Sequence, residues 1–275
     1  MIFIKSAILG LGGGISNVLP LNKNIIFIFL TMISKTVSGK AVFGIDYSSV
    51  FFVNLGILAG VFLYFGENIK KSIYEGISHD FSNYSYEYPY ELKNDEKTKL
   101  LLPVFYVGCF VGTIIASLFN EVNISYVFLV LLEAVSVVMC FLCDYTKENR
   151  VNLKLSALFA FLLVVLFKCL GLSVIPISVI FAKMWGINKK TLFDFTLNVI
   201  FVSTLFTTLS LLIKAVIFGF SFAWYLYAVC MVFGALGAFF GAGALKKTIF
   251  KNSFRKFGYF HTIFIFIMFY IFISA

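Results

Sequence analysis

The sequence predicts an all-α polytopic membrane protein, and three observations carry that expectation. Apolar residues make up 61% of the chain and charged residues only 13%, roughly half the charged share of an ordinary soluble domain. The apolar residues collect in runs long enough for helices to cross a bilayer. Lysine and arginine collect between alternate runs, which gives each run a direction.

In chain order the apolar stretches are 2–19, 25–34, 47–65, 100–119, 124–143, 153–169, 172–185, 194–216, 219–245 and 258–275. A helix needs about 20 apolar residues to cross the hydrocarbon core. Six stretches meet that: 47–65, 100–119, 124–143, 194–216, 219–245 and 258–275. The other four form two pairs, 2–19 with 25–34 and 153–169 with 172–185, each joined at a break rich in Gly, Ser, Asn and Pro. Such pairs read as re-entrant helical hairpins, about 2–34 and 153–185, which enter and leave on one side and add no crossing. Met1–Pro20 has the lysine and apolar run of a signal peptide, but no small-x-small cleavage site follows, so it is expected to stay as structure. Residues 1–275 then form a single integral membrane domain.

Charge tests this arrangement. With six crossings and two hairpins, one side receives segments 66–99, 144–154, 183–193 and 246–257, which hold sixteen of the 22 Lys and Arg residues. The other side receives Lys5, Lys23, Lys35, Lys40 and Lys214, while Lys168 lies at membrane depth. The positive-inside rule makes the richer side cytoplasmic. Both termini are then extracytoplasmic, in a bacterial plasma membrane, and the hairpins dip in from opposite faces as inverted repeats would. Segment 66–99 also carries seven of the thirteen acids and reads as a solvated linker.

Several chemistries are disfavoured. The five cysteines lack metal-ligand spacing, and Cys140-Phe141-Leu142-Cys143 lies in an apolar run, where it reads as buried thiols rather than a redox pair. His79 and His261 cannot build a metal site by themselves. The net charge of +9 is spread over loops, without the clustered soluble basic face that nucleic acid needs. Small residues from Gly234 to Ala244 recur at the three- and four-residue spacing of close helix packing.

The two breaks carry the functional signal. Gly14-Ile15-Ser16-Asn17-Val18-Leu19-Pro20-Leu21 and Gly171-Leu172-Ser173-Val174-Ile175-Pro176-Ile177 each place Gly, Ser and Pro in order, near a lysine. Non-helical backbone at membrane depth is tolerated only where protein or a wet cavity covers it. Broken helices in two halves of a membrane protein point to a ligand site. The candidate head-group ligands are Asn17, Asn22, Lys23, Asn24, Lys168 and Ser173. Asn and Ser can hydrogen-bond phosphate oxygens, or simply satisfy free backbone at a helix break. Lys23 is either a tip charge or part of an exposed outer loop. Lys168 either faces a wet cavity or snorkels or pairs with Glu133 of the 124–143 run. An uncompensated lysine at the bilayer centre would cost about 2.5–3.5 kcal/mol.

Ala7-Ile8-Leu9-Gly10 with Gly14, Leu19 and Pro20 is followed by Asn54-Leu55-Gly56-Ile57-Leu58-Ala59, then Gly186-Ile187-Asn188-Lys189 with Phe195-Thr196, and then Phe233-Gly234-Ala235 through Phe257-Gly258-Tyr259-Phe260-His261. In this order and spacing the chain resembles, over nearly its whole length, the undecaprenyl-diphosphatase (bacitracin-resistance) family. The resemblance implies inverted repeats with two re-entrant hairpins, and hydrolysis of a lipid carrier's pyrophosphate on the outer face. The catalytic groups do not follow. The family's two acids fall on Gly13 and Asn17, and its Ser-Ser-Thr-Gly-His on Asn22 to Ile26. Its Pro-Gly-x-Ser-Arg-Ser-Gly falls on Leu170 to Pro176, with Val174 in place of the arginine. Mg²⁺ or Ca²⁺ would lack carboxylate ligands, and the bidentate phosphate contact of an arginine is lost.

The expectation is therefore a catalytically degenerate relative, with no catalytic residue, metal site or cofactor. It would bind, and by alternating access move, a polyprenyl phosphate or related anionic lipid. Its partner is a membrane lipid rather than nucleic acid, and a homodimer is compatible. Two alternatives stand beside it: an active undecaprenyl-diphosphatase with an altered site that uses groups such as Ser173 and Lys168, the one case that leaves room for Mg²⁺ or Ca²⁺, and a non-enzymatic membrane partner or immunity-type protein.

Overall fold

A computed structural model describes residues 2–22, 47–77, 93–118, 126–147, 152–219 and 224–274. These residues form helices and connecting turns, with no strand among them. The helices are α1 (Ile2–Val18), α2 (Tyr47–Ile77), α3 (Asn94–Leu118), α4 (Tyr126–Tyr145), α5 (Leu153–Cys169), α6 (Ile175–Met184), α7 (Lys189–Phe218), α8 (Trp224–Lys251) and α9 (Arg255–Ser274). Five of them, α2, α3, α4, α7 and α8, contain stretches long and apolar enough to cross a membrane. The architecture fits a helical membrane protein. The sixth expected crossing, 258–275, folds as the 20-residue α9, which is not among those five. The stretch 25–34, expected as the return arm of the first hairpin, lies outside the described residues.

Glycines decide how the helices approach. α8 lies between α1 and α2, and its small residues let both backbones come close. A methyl group added at Gly10 would lie 2.5 Å from the Cys230 carbonyl oxygen, and one at Gly237 would lie 2.6 Å from that of Leu11. At Gly56 and Gly60 it would run into the Met231 and Ala235 carbonyls. Contacts advance together from Gly10 with Cys230 to Gly241 with Val18, so α1 runs parallel to α8. The apolar part of α2 ends at Gly66, where Phe65 leaves helical geometry (φ −146°, ψ 18°) and kinks the helix.

The second broken segment is folded locally and tightly. Asn152 caps α5 by accepting from Leu155 N at 3.2 Å, and Asn188 caps α7 by accepting from Thr191 N at 2.9 Å. Both α5 and α6 end in a glycine of positive φ, Gly171 at 71° and Gly186 at 70°. In each case the glycine N–H and the next one bond back to the last helical turn: Gly171 to Lys168 O and Leu172 to Phe167 O, Gly186 to Lys183 O and Ile187 to Ala182 O. This closure needs the left-handed backbone that glycine adopts without strain. Trp185 Nε1 then donates to Ser156 Oγ at 3.0 Å, joining the end of α6 to the start of α5.

Four chain segments meet at that same end. Asn188 N donates to Asn94 Oδ1 (3.2 Å), and Lys189 Nζ to Phe250 O (2.9 Å). Asp144 accepts from Phe254 N and Arg255 N, both at 2.9 Å, and so caps α9. Lys183 donates to Cys143 O and to Asn252 Oδ1.

Because Gly56 faces backbone while Gly243 has nothing within 4 Å, Gly56→Ala should cost about 1–3 kcal/mol by overpacking. Gly243→Ala should be neutral. Thermal unfolding of both variants in one detergent checks the contrast, and equal midpoints would contradict it.

Candidate functional site

Hydroxyl groups on α7 organise the polar interior. Thr204 and Thr207 donate to Ile200 O and Ser203 O, at 2.8 Å each. Their protons are committed to the helix, so their oxygens face outward as acceptors. Two groups use them. Asn17 Nδ2, near the end of α1, donates to Thr204 Oγ1 at 3.1 Å. Lys168 Nζ, near the end of α5, donates to Thr207 Oγ1 (2.7 Å), Ser203 Oγ (2.8 Å) and Ser203 O (3.2 Å). Ser203 and Thr204 stand midway along the 30-residue α7. One helical turn thus receives a side chain from each broken segment.

The lysine has no carboxylate against it among the described residues. The acid that sequence offers as its partner, Glu133, is engaged elsewhere: its Oε1 lies 2.5 Å from His261 Nδ1. His261 Nε2 lies 2.8 Å from the carbonyl oxygen of Pro20. A carbonyl only accepts, so Nε2 carries a proton, and a second proton is shared between Nδ1 and the carboxyl group. Both residues are essentially fully buried, and Glu133 Oε2 has no hydrogen-bond partner among the described residues. The Glu133–His261–Pro20 chain escaped the sequence reading because its members lie on three elements. Its signal was the lone histidine in one apolar run and the lone acid in another.

The two cysteines of the C-x-x-C run also serve the breaks. Cys140 Sγ donates to Pro20 O at 3.9 Å, and Cys143 Sγ to Pro176 O at 3.4 Å. All five cysteines are free thiols.

Of the sequence-derived ligands, Asn17 and Lys168 meet on α7, and Asn22 is buried just beyond the first break. Ser173 stays local: its Oγ accepts from Ile175 N at 3.4 Å, at the start of α6. Lys23 and Asn24 lie outside the described residues. Among the described residues no group of three or more His, Cys, Asp and Glu side chains could hold a metal.

No family model and no curated protein matches the chain.

Removing His261 would strand a buried carboxylate and free the Pro20 carbonyl. His261→Ala should cost about 3–5 kcal/mol of stability, the usual cost of breaking a buried pair. The double variant Glu133→Gln/His261→Ala should recover a good part of it. A double-mutant cycle on thermal unfolding reads the coupling, and additive losses would show that the two residues act independently.

Proposed function

We propose that the protein binds an anionic polyprenyl-phosphate type of lipid within its helical bundle without hydrolysing it. The observation that carries this reading is Lys168, an ammonium group at membrane depth held, among the described residues, only by neutral oxygens of Ser203 and Thr207. Its three N–H groups are satisfied, but its charge is not neutralised. Intramembrane ionisable groups are costly and commonly mark ligand pathways. An anion that entered beside α7 would supply the missing charge, displacing one hydroxyl to take a hydrogen bond from the ammonium. Asn17, held on the next residue of the same turn, would offer an amide N–H from the first break.

The arrangement of the second segment supports its reading as a re-entrant hairpin, since Trp185 returns to Ser156 at the entry of α5. The meeting of residues 94, 144, 188 and 252 at one end supports a common, cytoplasmic side for their segments. Six crossings, inverted repeats and resemblance to the undecaprenyl-diphosphatase scaffold belong to this proposal. Two broken segments converging on one helix would suit exchange of a head group between faces.

Hydrolysis is not part of it. Phosphoryl transfer needs cations, a positioned nucleophile and a base or metal-holding acid. The converging groups here are an amide, three hydroxyl-bearing residues (Ser203, Thr204 and Thr207) and one lysine.

Lys168→Ala should weaken binding of undecaprenyl phosphate about tenfold or more, since a hydrogen bond to a charged group is worth about 1.5–3 kcal/mol. Lys168→Glu should weaken it further. Lipid retained through purification, measured by mass spectrometry, tests this, and unchanged retention in both variants would defeat the reading. The protein should release no more phosphate from undecaprenyl pyrophosphate than a blank. Metal-dependent turnover would overturn that expectation. A cysteine introduced at Asn252 should stay unlabelled by an impermeant reagent in intact cells, and labelling would reverse the orientation.

A further inference from the structure

A cleft of about 420 Å³ opens where α8 turns into α9, on residues distant in sequence from Lys168. Lys247 and Lys251 of α8 and Lys256 of α9 line it, together with Ser253 in the turn. Its other walls are Thr248, Phe257, Phe260 and Leu21, the last from just beyond the first break. All three lysines are exposed, and none has a carboxylate partner among the described residues. Asp144, which reaches the same turn, spends both carboxylate oxygens on the backbone N–H groups of Phe254 and Arg255. The turn therefore presents three positive charges, with no acid paired to them among the described residues, above an aromatic wall.

We infer that this cleft is a binding site for the phosphate head group of an anionic membrane lipid, separate from the internal Lys168 site. Three lysines and a hydroxyl supply the charge and hydrogen bonds that a phosphodiester accepts. Phe257 and Phe260 offer apolar surface to the first carbons of its chains. The cleft volume lies within the range of small-molecule sites. Basic side chains at the edge of an apolar span are also where anionic lipids concentrate. A soluble phosphate would use the same lysines but gain nothing from the phenylalanines, so the wall chemistry favours a lipid.

The test uses the full-length protein in detergent, with phosphatidylglycerol and phosphatidylcholine of identical chains as probes and native mass spectrometry as the readout. Wild type should prefer phosphatidylglycerol. The triple variant Lys247→Gln/Lys251→Gln/Lys256→Gln should lose about tenfold or more of that preference. Replacing the same three lysines with arginine should keep it. A control triple, Lys147→Gln/Lys154→Gln/Lys190→Gln, removes the same charge from exposed residues outside the cleft and should bind like wild type. Equal loss in both glutamine triples, or none in the first, would overturn the site. Displacement by inorganic phosphate without any preference between the two lipids would overturn the lipid assignment. Because no variant touches Lys168, failure here leaves the internal site to its own experiment.

Discussion

The structure depends on how closely α1 and α2 can approach α8. Lipid offers little hydrophobic drive for helices to associate, so contact must come from packing and from hydrogen bonds between them. The glycines at 10, 56, 60 and 237 remove the side chains that would hold these backbones apart. With α1 seated along α8, its end is carried to a fixed depth. Asn17 then reaches Thr204, Pro20 reaches His261, and Leu21 reaches the turn after α8. The polar contacts of the first break follow from an apolar fit.

Inside that bundle each uncommon polar group is matched by geometry that few residue types provide. Threonines that bond back to their own helix keep an oxygen for an outside donor. Proline carbonyls at the breaks receive a thiol or an imidazole rather than a backbone N–H. These arrangements let irregular backbone lie deep in an apolar environment, where unsatisfied groups would be costly. Lys168 differs, because its hydrogen bonds are complete while its charge stands without a counter-ion among the described residues.

Much of this was legible in the sequence, and the limits have physical causes. Long apolar runs located α2, α3, α4, α7 and α8, because crossing length is written directly in composition. Gly171 marked the end of α5, since a left-handed residue is needed there. The small-residue run in α8 announced close packing, though Gly243 turned out to face open space. Pairings across the bundle were not legible. Lys168 and Glu133 looked like natural partners by charge, yet rotation of their helices gives one to α7 and the other to His261. Sequence fixes which groups must find partners at membrane depth, while helix phase and depth choose among them.

α4 carries an unusual share of these contacts. Cys140 bonds to the Pro20 carbonyl, Cys143 bonds to that of Pro176, and Glu133 holds the histidine that also binds Pro20. The two prolines stand in different halves of the chain but take their registry from one rod. An axial slip of α4 would load both breaks at once, and a disturbance at either break would be transmitted to the other through it. Energetic coupling of this kind is reciprocal. To the extent that α4 moves as one body, a ligand that shifts one proline turn would bias the other by the same free energy, with α4 as the link between them.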